Sequence, residues 1–140
     1  MAVNVQFAIA VHLMAGLACS GGPDGITSSH LAQSVNTSPS FVRRTLAKLS
    51  KAGLARTATG KTGACWLAKD AASISLLDIY RAVDAPAVFS IHHYAEQKVC
   101  VVSCHIKSAL EKVLDKTQRS VETTLAGISL AQIVAEMKQH

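Results

Sequence analysis

The stretch Ser38-Pro39-Ser40-Phe41-Val42-Arg43-Arg44-Thr45-Leu46-Ala47-Lys48-Leu49 constrains this chain more than any other. It combines a helix start, an apolar face and a basic face within a few turns. Ser38 is suited to the N-cap, where its hydroxyl takes up a free backbone N–H of the first turn. Pro39 then falls on the first helical position, where its missing N–H costs nothing. Val42, Leu46 and Leu49 recur at helical spacing and face a core. Arg44, Lys48 and Lys51 recur on another side and face solvent or a polyanion. A short helix before this one and a Gly-punctuated basic hairpin after it give the order of a winged helix-turn-helix.

The neighbouring segments carry their own punctuation. A first helix is expected over about Val3 to Ala18, with Val3, Phe7, Val11, Met14 and Leu17 at helical intervals and Ser20-Gly21-Gly22-Pro23 as its stop. Thr27 caps a second helix, with Ile26 stapled onto Leu31. Asn36-Thr37 forms the turn, and Gly53 is the C′ residue of the third helix. Leu54 to Ala58 and Ala64 to Ala68, joined by Gly60-Lys61-Thr62-Gly63, predict a two-stranded ribbon. Ser75 and Asp78 form a capping box for a fourth helix, with Ile74 and Ile79 as its staple; Asp84-Ala85-Pro86 ends it. A loop over Val88 to Val99 leads to a long helix from about Ser103 to Ala126. Ser129 and Gln132 are a further capping box, opening a closing helix that carries Leu130, Ile133, Val134 and Met137.

The long helix bears a stripe of Ile106, Leu110, Val113, Thr117, Val121 and Leu125, with Leu114 beside it. That stripe is longer than a compact wing module covers, so a helix from a second subunit is its simplest partner. Packing back on its own chain is the alternative.

Composition narrows the function classes. The 140 residues carry a formal charge of +5, which favours a polyanionic partner. Aromatics are only 4%, fewer than base-stacking single-strand binders use, so a duplex is the expected nucleic acid. The longest apolar stretch, Phe7 to Cys19, contains His12 and is too short to span a membrane. No Lys or Arg precedes Arg43, so no secretory signal is expected and the cytoplasm is the expected compartment.

Beyond these local signals, the order of elements resembles the IscR/NsrR/CymR-type family of bacterial winged helix-turn-helix transcriptional regulators. "SFVRRTLAKLSKAGL", "GKTGACWLA" and "SISLLDIYRAVD" carry the resemblance, together with a tail from Cys100 to Met137 like the family's dimerisation helix and short closing helix. The resemblance implies a homodimeric regulator, most simply a repressor, on a pseudo-palindromic duplex site. Its third helix would enter the major groove and its wing would lie along the minor groove. By position, Ser38, Ser40, Arg43 and Arg44 would meet bases or phosphates, and Lys48, Thr57, Thr59 and Lys61 backbone or minor groove. An Arg fork reads guanine bidentately, and hydroxyls and Lys position the backbone, so the chemistry agrees. The family's wing commonly has Arg where this chain has Thr59, which leaves Arg56 or Lys61 to take that part.

Four cysteines occur: Cys19, Cys65, Cys100 and Cys104. Cys19 and Cys65 are expected in or near the core. The resemblance places a sensing segment before the dimerisation helix, where several relatives hold an iron–sulfur cluster with three cysteines and a further ligand. This chain offers only Cys100 and Cys104 there, with His105 adjacent and His92 and His93 upstream. An iron–sulfur cluster or zinc held by Cys100, Cys104 and His105 stays open, against a count and spacing that do not match. A redox switch of the Cys100/Cys104 thiols is the preferred reading, since a helix start favours reactive thiolate chemistry. A disulfide would require the turn to bend. Simple burial without a sensing role is the plain alternative.

No phosphate loop, His-Glu-x-x-His pattern or nucleophile elbow is present, and no acid–base pair stands out, so an enzyme is not expected. A winged-helix adaptor for protein is the other alternative; the Arg44/Lys48/Lys51 stripe speaks for DNA instead. The expected fold is mainly α with a small β-wing. It comprises a winged helix-turn-helix domain over 1–84, a sensor-type loop over 85–102, a dimerisation helix over 103–126 and a closing helix over 127–140.

Overall fold

A computed structural model describes residues 5–58 and 63–139. Val3 of the expected first stripe, and Thr59 and Lys61 of the wing tip, lie outside the described residues. In chain order the elements are α1 (Gln6–Ser20), β1 (Ile26–Thr27), α2 (Ser28–Val35), α3 (Pro39–Lys51), β2 (Ala55–Thr57) and β3 (Ala64–Leu67). A 3-10 turn (Ala71–Ser73), α4 (Leu76–Ala82), α5 (Val101–Ala126) and α6 (Leu130–Met137) follow. The fold is mainly α with a small antiparallel sheet, as expected. The chain divides into two compact units, one of 1–85 with 125–140 and the other of 86–124.

In the first unit α1 is the centre of the core. Ala10, Leu13, Met14, Ala15 and Leu17 are buried, and α2, α3, α4, α6 and β3 all pack on this helix. A helix covered on most sides needs no single apolar stripe. That is why a stripe of Phe7, Val11, Met14 and Leu17 captured only part of its burial and left out Leu13. The helix also runs on to Ser20, beyond the expected Ala18, and this extension carries Cys19 out to the surface. Cys19 is exposed rather than core, whereas Cys65 is buried as expected.

The caps form where local chemistry places them. Thr27 Oγ1 accepts from His30 N at 3.1 Å, and Ser38 Oγ accepts from Phe41 N at 3.3 Å. Asn36 ends α2 in the left-handed region, φ 67°. Past α3, Gly53 lies at φ +80°, Gly53 N donates to Ser50 O and Leu54 N donates to Leu49 O, a Schellman ending. Leu49 and Leu54 are both buried in the core, which supplies the apolar contact of that motif.

The ribbon has a third strand. β3 pairs with β2 through Arg56↔Trp66 and Thr57↔Cys65, and with β1 through Ile26↔Cys65, so the strand order is β1-β3-β2. Two residues of β1 are too few to show a period in sequence, which is why only a two-stranded ribbon was legible.

The closing helix belongs to this same unit. Leu76 N donates to Ile128 O and Leu130 N donates to Ile74 O, joining the starts of α4 and α6 through an isolated antiparallel bridge, Ser75↔Ser129. Each start has its expected capping box, Ser75 with Asp78 and Ser129 with Gln132. Leu130 is fully buried, and Ile133 and Val134 pack beside it onto the core.

In the second unit α5 begins at Val101, earlier than the expected Ser103, because Cys100 ends the preceding segment as a cap would. Cys100 Sγ accepts from Ser103 N at 3.4 Å. Val88 N donates to Gln118 Oε1 at 3.0 Å, and Lys107 Nζ donates to Tyr94 O at 2.6 Å, tying the loop to its helix. No residue of α5 is buried.

Candidate nucleic-acid interface

The interface starts from how α3 distributes its side chains. Val42, Thr45, Leu46 and Leu49 are buried and fix which face turns outward. Thr45 was not expected in that set; its hydroxyl is satisfied by donating to Phe41 O at 3.0 Å. At about 100° per residue, Ser40, Ala47 and Lys51 lie along the middle of the outward face. Arg43 flanks them on one side, and Arg44 and Lys48 on the other. Ser38, Ser40, Arg43, Arg44 and Lys51 are exposed and Lys48 is half-buried.

Arg43 reaches the wing side. It borders a groove of about 260 Å³ with Leu46, Ala47, Ser28, Thr57, Ala58, Gly63 and Cys65. The base of the wing is bound to α2 there, Ser28 N donating to Gly63 O at 3.2 Å. Thr57 thus shares a surface with the recognition helix. Arg56, the next residue along β2, alternates to the other face of the sheet beside Trp66. Of the sequence-predicted contacts, the structure brings Ser40, Arg43, Arg44, Lys48 and Thr57 around α3 and sets Arg56 apart. Ala47 is exposed on the same face and lines the groove beside Arg43. Its methyl group has neither charge nor hydrogen-bonding atoms, so nothing in the sequence marked it.

His12 is satisfied, its Nε2 lying 2.9 Å from Ser34 Oγ. His30 is exposed on α2. Trp66 is half-buried, as a residue joining wing to domain should be.

At the candidate sensor, Cys104 N donates to Cys100 O at 3.0 Å, so the two cysteines stand one helical turn apart. Cys104 Sγ donates to Gln97 O and Lys98 O, each at 3.5 Å. Cys100 is exposed, Cys104 half-buried and His105 exposed. Among the described residues, no three His, Cys, Asp or Glu come together as ligands for a metal ion. Within one chain the residues at Cys100, Cys104 and His105 therefore do not fit an iron–sulfur cluster or a zinc ion, which need about four.

Cys65 differs from the other thiols. Burial pushes its pKa above the usual thiol value of 9.0, and its Sγ donates to Gly63 O at 3.4 Å. The native chain is expected to leave Cys65 unmodified by a thiol reagent near neutral pH while Cys19 reacts. Mass spectrometry of the labelled peptides reads this directly. The raised folded-state pKa also means that stability falls as pH climbs above about 9, because the unfolded thiol then releases its proton first. Fast labelling of Cys65 in the folded chain contradicts the burial.

The family model for Rrf2, iron-dependent transcriptional regulator, matches residues 3–136. The chain belongs to the Rrf2 family. YwnA of Bacillus subtilis, named as an HTH-type transcriptional regulator, is 37% identical over 134 residues, 94% of this chain and 96% of its own. A crystal structure assigned as a DNA-binding protein is 34% identical, covers 91% of this chain and 97% of its own, and superposes with a TM-score of 0.72. CymR of Bacillus subtilis, the global cysteine regulator, has a TM-score of 0.70 at 18% identity, covering 97% of this chain and 98% of its own. At that identity it bears on the fold alone. The family and YwnA are transcriptional regulators, not enzymes, and this chain is a regulator of that family. Among the described residues no helix is long and apolar enough to cross a membrane.

Proposed function

We propose that this Rrf2 protein is a cytoplasmic homodimer that binds a pseudo-palindromic duplex site as a repressor. The outward face of α3 carries the reading: Ser40, Arg43, Arg44 and Lys51 are exposed on one short helix whose opposite face is locked in the core. In the proposed complex α3 lies in the major groove, with Ser38, Ser40, Arg43 and Arg44 at bases and phosphates. Lys48 and Thr57 reach the backbone, and Arg56, Thr59 and Lys61 serve the wing at the minor groove. The phosphate contacts fix register and the arginine forks read bases.

The length and exposure of α5 support the dimer. The helix is about 39 Å long at 1.5 Å per residue, yet none of its residues is buried in a single chain. Val113 is 58% exposed in the middle of the apolar stripe. A self-complementary seam of Ile106, Leu110, Val113, Leu114, Thr117, Val121 and Leu125 removes that apolar surface from water.

The regulatory step we assign to Cys100 and Cys104. One helical turn sets their Cα atoms about 6 Å apart, inside the range a disulfide spans. The two thiols point to different partners, so the bridge forms only if the first turn of α5 opens. Two thiols would then give two electrons and two protons to a peroxide, which leaves as water, while one S–S bond forms. Opening that turn alters the start of the helix that carries the dimer seam.

Arg44→Ala is expected to weaken binding to the specific site by about 1–3 kcal/mol, the worth of one bidentate base contact. Titration of the labelled site by fluorescence anisotropy measures it, and unchanged affinity removes Arg44 from the contacts.

A further inference from the structure

We infer that Trp66 and Phe41 are positioning residues for DNA binding: Phe41 holds an arginine of the α3 face, and Trp66 the wing arginine on the other face of the sheet, in place before the duplex arrives. The inference rests on reading Arg56 and Arg44 as DNA contacts and adds what presets them. Arg56 and Trp66 are direct cross-strand partners, and the Arg56 guanidinium stands 6.0 Å from the indole centroid. That is within reach of a cation–π contact, which an indole face makes best.

The indole is itself fixed at its far edge. Nε1 donates to Pro23 O at 3.2 Å across 43 positions of sequence. The ring also lies flush against Gly25, where an added Cβ would fall 2.8 Å from Trp66 Cε2 and 2.9 Å from Nε1. Gly25 has φ +72°, so both its backbone and its missing side chain suit this approach. The platform under Arg56 is thus anchored to the turn before β1.

The recognition helix repeats the arrangement. The Arg44 guanidinium lies 5.9 Å from the Phe41 centroid, three residues back on the same side of α3. Arg43 leans the same way, its Nη2 donating to Ser40 Oγ at 3.5 Å. An arginine free in solvent loses rotamer freedom when it meets a phosphate or base, and one already held loses less.

The test uses the full chain and a mixed-sequence duplex, with affinity measured over a salt series and each variant melted in parallel. Arg56→Ala is expected to weaken binding and to reduce the salt slope by about one. Trp66→Leu should weaken binding roughly two- to five-fold, the size of an exposed cation–π contact. Trp66→Phe keeps a π face and should retain most of the affinity despite losing the bond to Pro23 O. In the Arg56→Ala background, Trp66→Leu should cost nothing further in affinity. The Phe41→Leu and Arg44→Ala pair should behave alike. If Trp66→Leu costs as much with Arg56 absent as with it present, positioning is refuted while the DNA contact stands. If Arg56→Ala alone changes neither affinity nor slope, the contact reading of Arg56 fails, and the role of Trp66 fails with it.

Discussion

Leu110→Glu should turn the protein from dimer to monomer and weaken its hold on a two-half-site duplex by about 10²–10⁴-fold, the avidity lost when two linked modules become one. Leu110 stands mid-stripe on α5, half-buried within a single chain, with exposed Val113 one turn further on. In an isologous seam the substitution places a carboxylate on both sides of the two-fold axis, each desolvated and neither paired. The fold of the first unit should survive, because every buried residue of the core lies outside α5. Sedimentation velocity with circular dichroism separates the outcomes. A variant that still sediments as a dimer with native helicity puts the seam elsewhere.

Leu130→Ala should cost about 2–5 kcal/mol of stability, the usual range for a leucine deleted from a closed core. Leu130 is fully buried, and its backbone N–H is committed to Ile74 O. The substitution leaves the Ser129–Gln132 capping box intact, so helix initiation is unaffected. What is lost is the apolar plug by which α6 locks onto α1 and the 3-10 turn before α4. Denaturant midpoints at one fixed protein concentration give the value, since the proposed dimerisation would make stability concentration-dependent. A loss below about 0.5 kcal/mol would mean that α6 is not part of the cooperative unit.

The local starts and stops of this fold were legible because each is written in a few adjacent residues. Thr27, Ser38, the Ser75–Asp78 box, the Ser129–Gln132 box and Gly53 all act within one turn, and all formed. What escaped depends on residues far apart. α1 is surrounded, so its apolar positions spread around the helix and blurred the stripe that a half-exposed helix shows. Exposed Cys19 follows from that misplacement, since extending the helix carries the thiol past the core. β1 exists only because β3 offers it an edge, and nothing in Ile26-Thr27 alone requires a strand.

The candidate interface shows the same division. Basic residues announced themselves by charge and spacing, and Arg43 and Arg44 emerged on the outward face. That Thr57 faces the recognition helix while Arg56 turns away beside Trp66 depends on strand register, which the wing sequence does not state. Cys100 and Cys104 were legible as a pair, but the geometry between them depends on where α5 begins. With the start at Val101 rather than Ser103, Cys100 directly precedes the helix and its carbonyl accepts the helical hydrogen bond from Cys104 N.

Sequence-specific DNA binding is what the proposed dimer must show. Its most direct measurement is binding to the DNA upstream of the protein's own gene, beside an unrelated duplex of equal length. The protein is purified without oxygen and tested both reduced and after mild oxidant. The reduced protein should prefer the upstream duplex, lose affinity steeply as salt rises, and let go on oxidation. Equal binding to the two duplexes in both states would contradict sequence-specific binding.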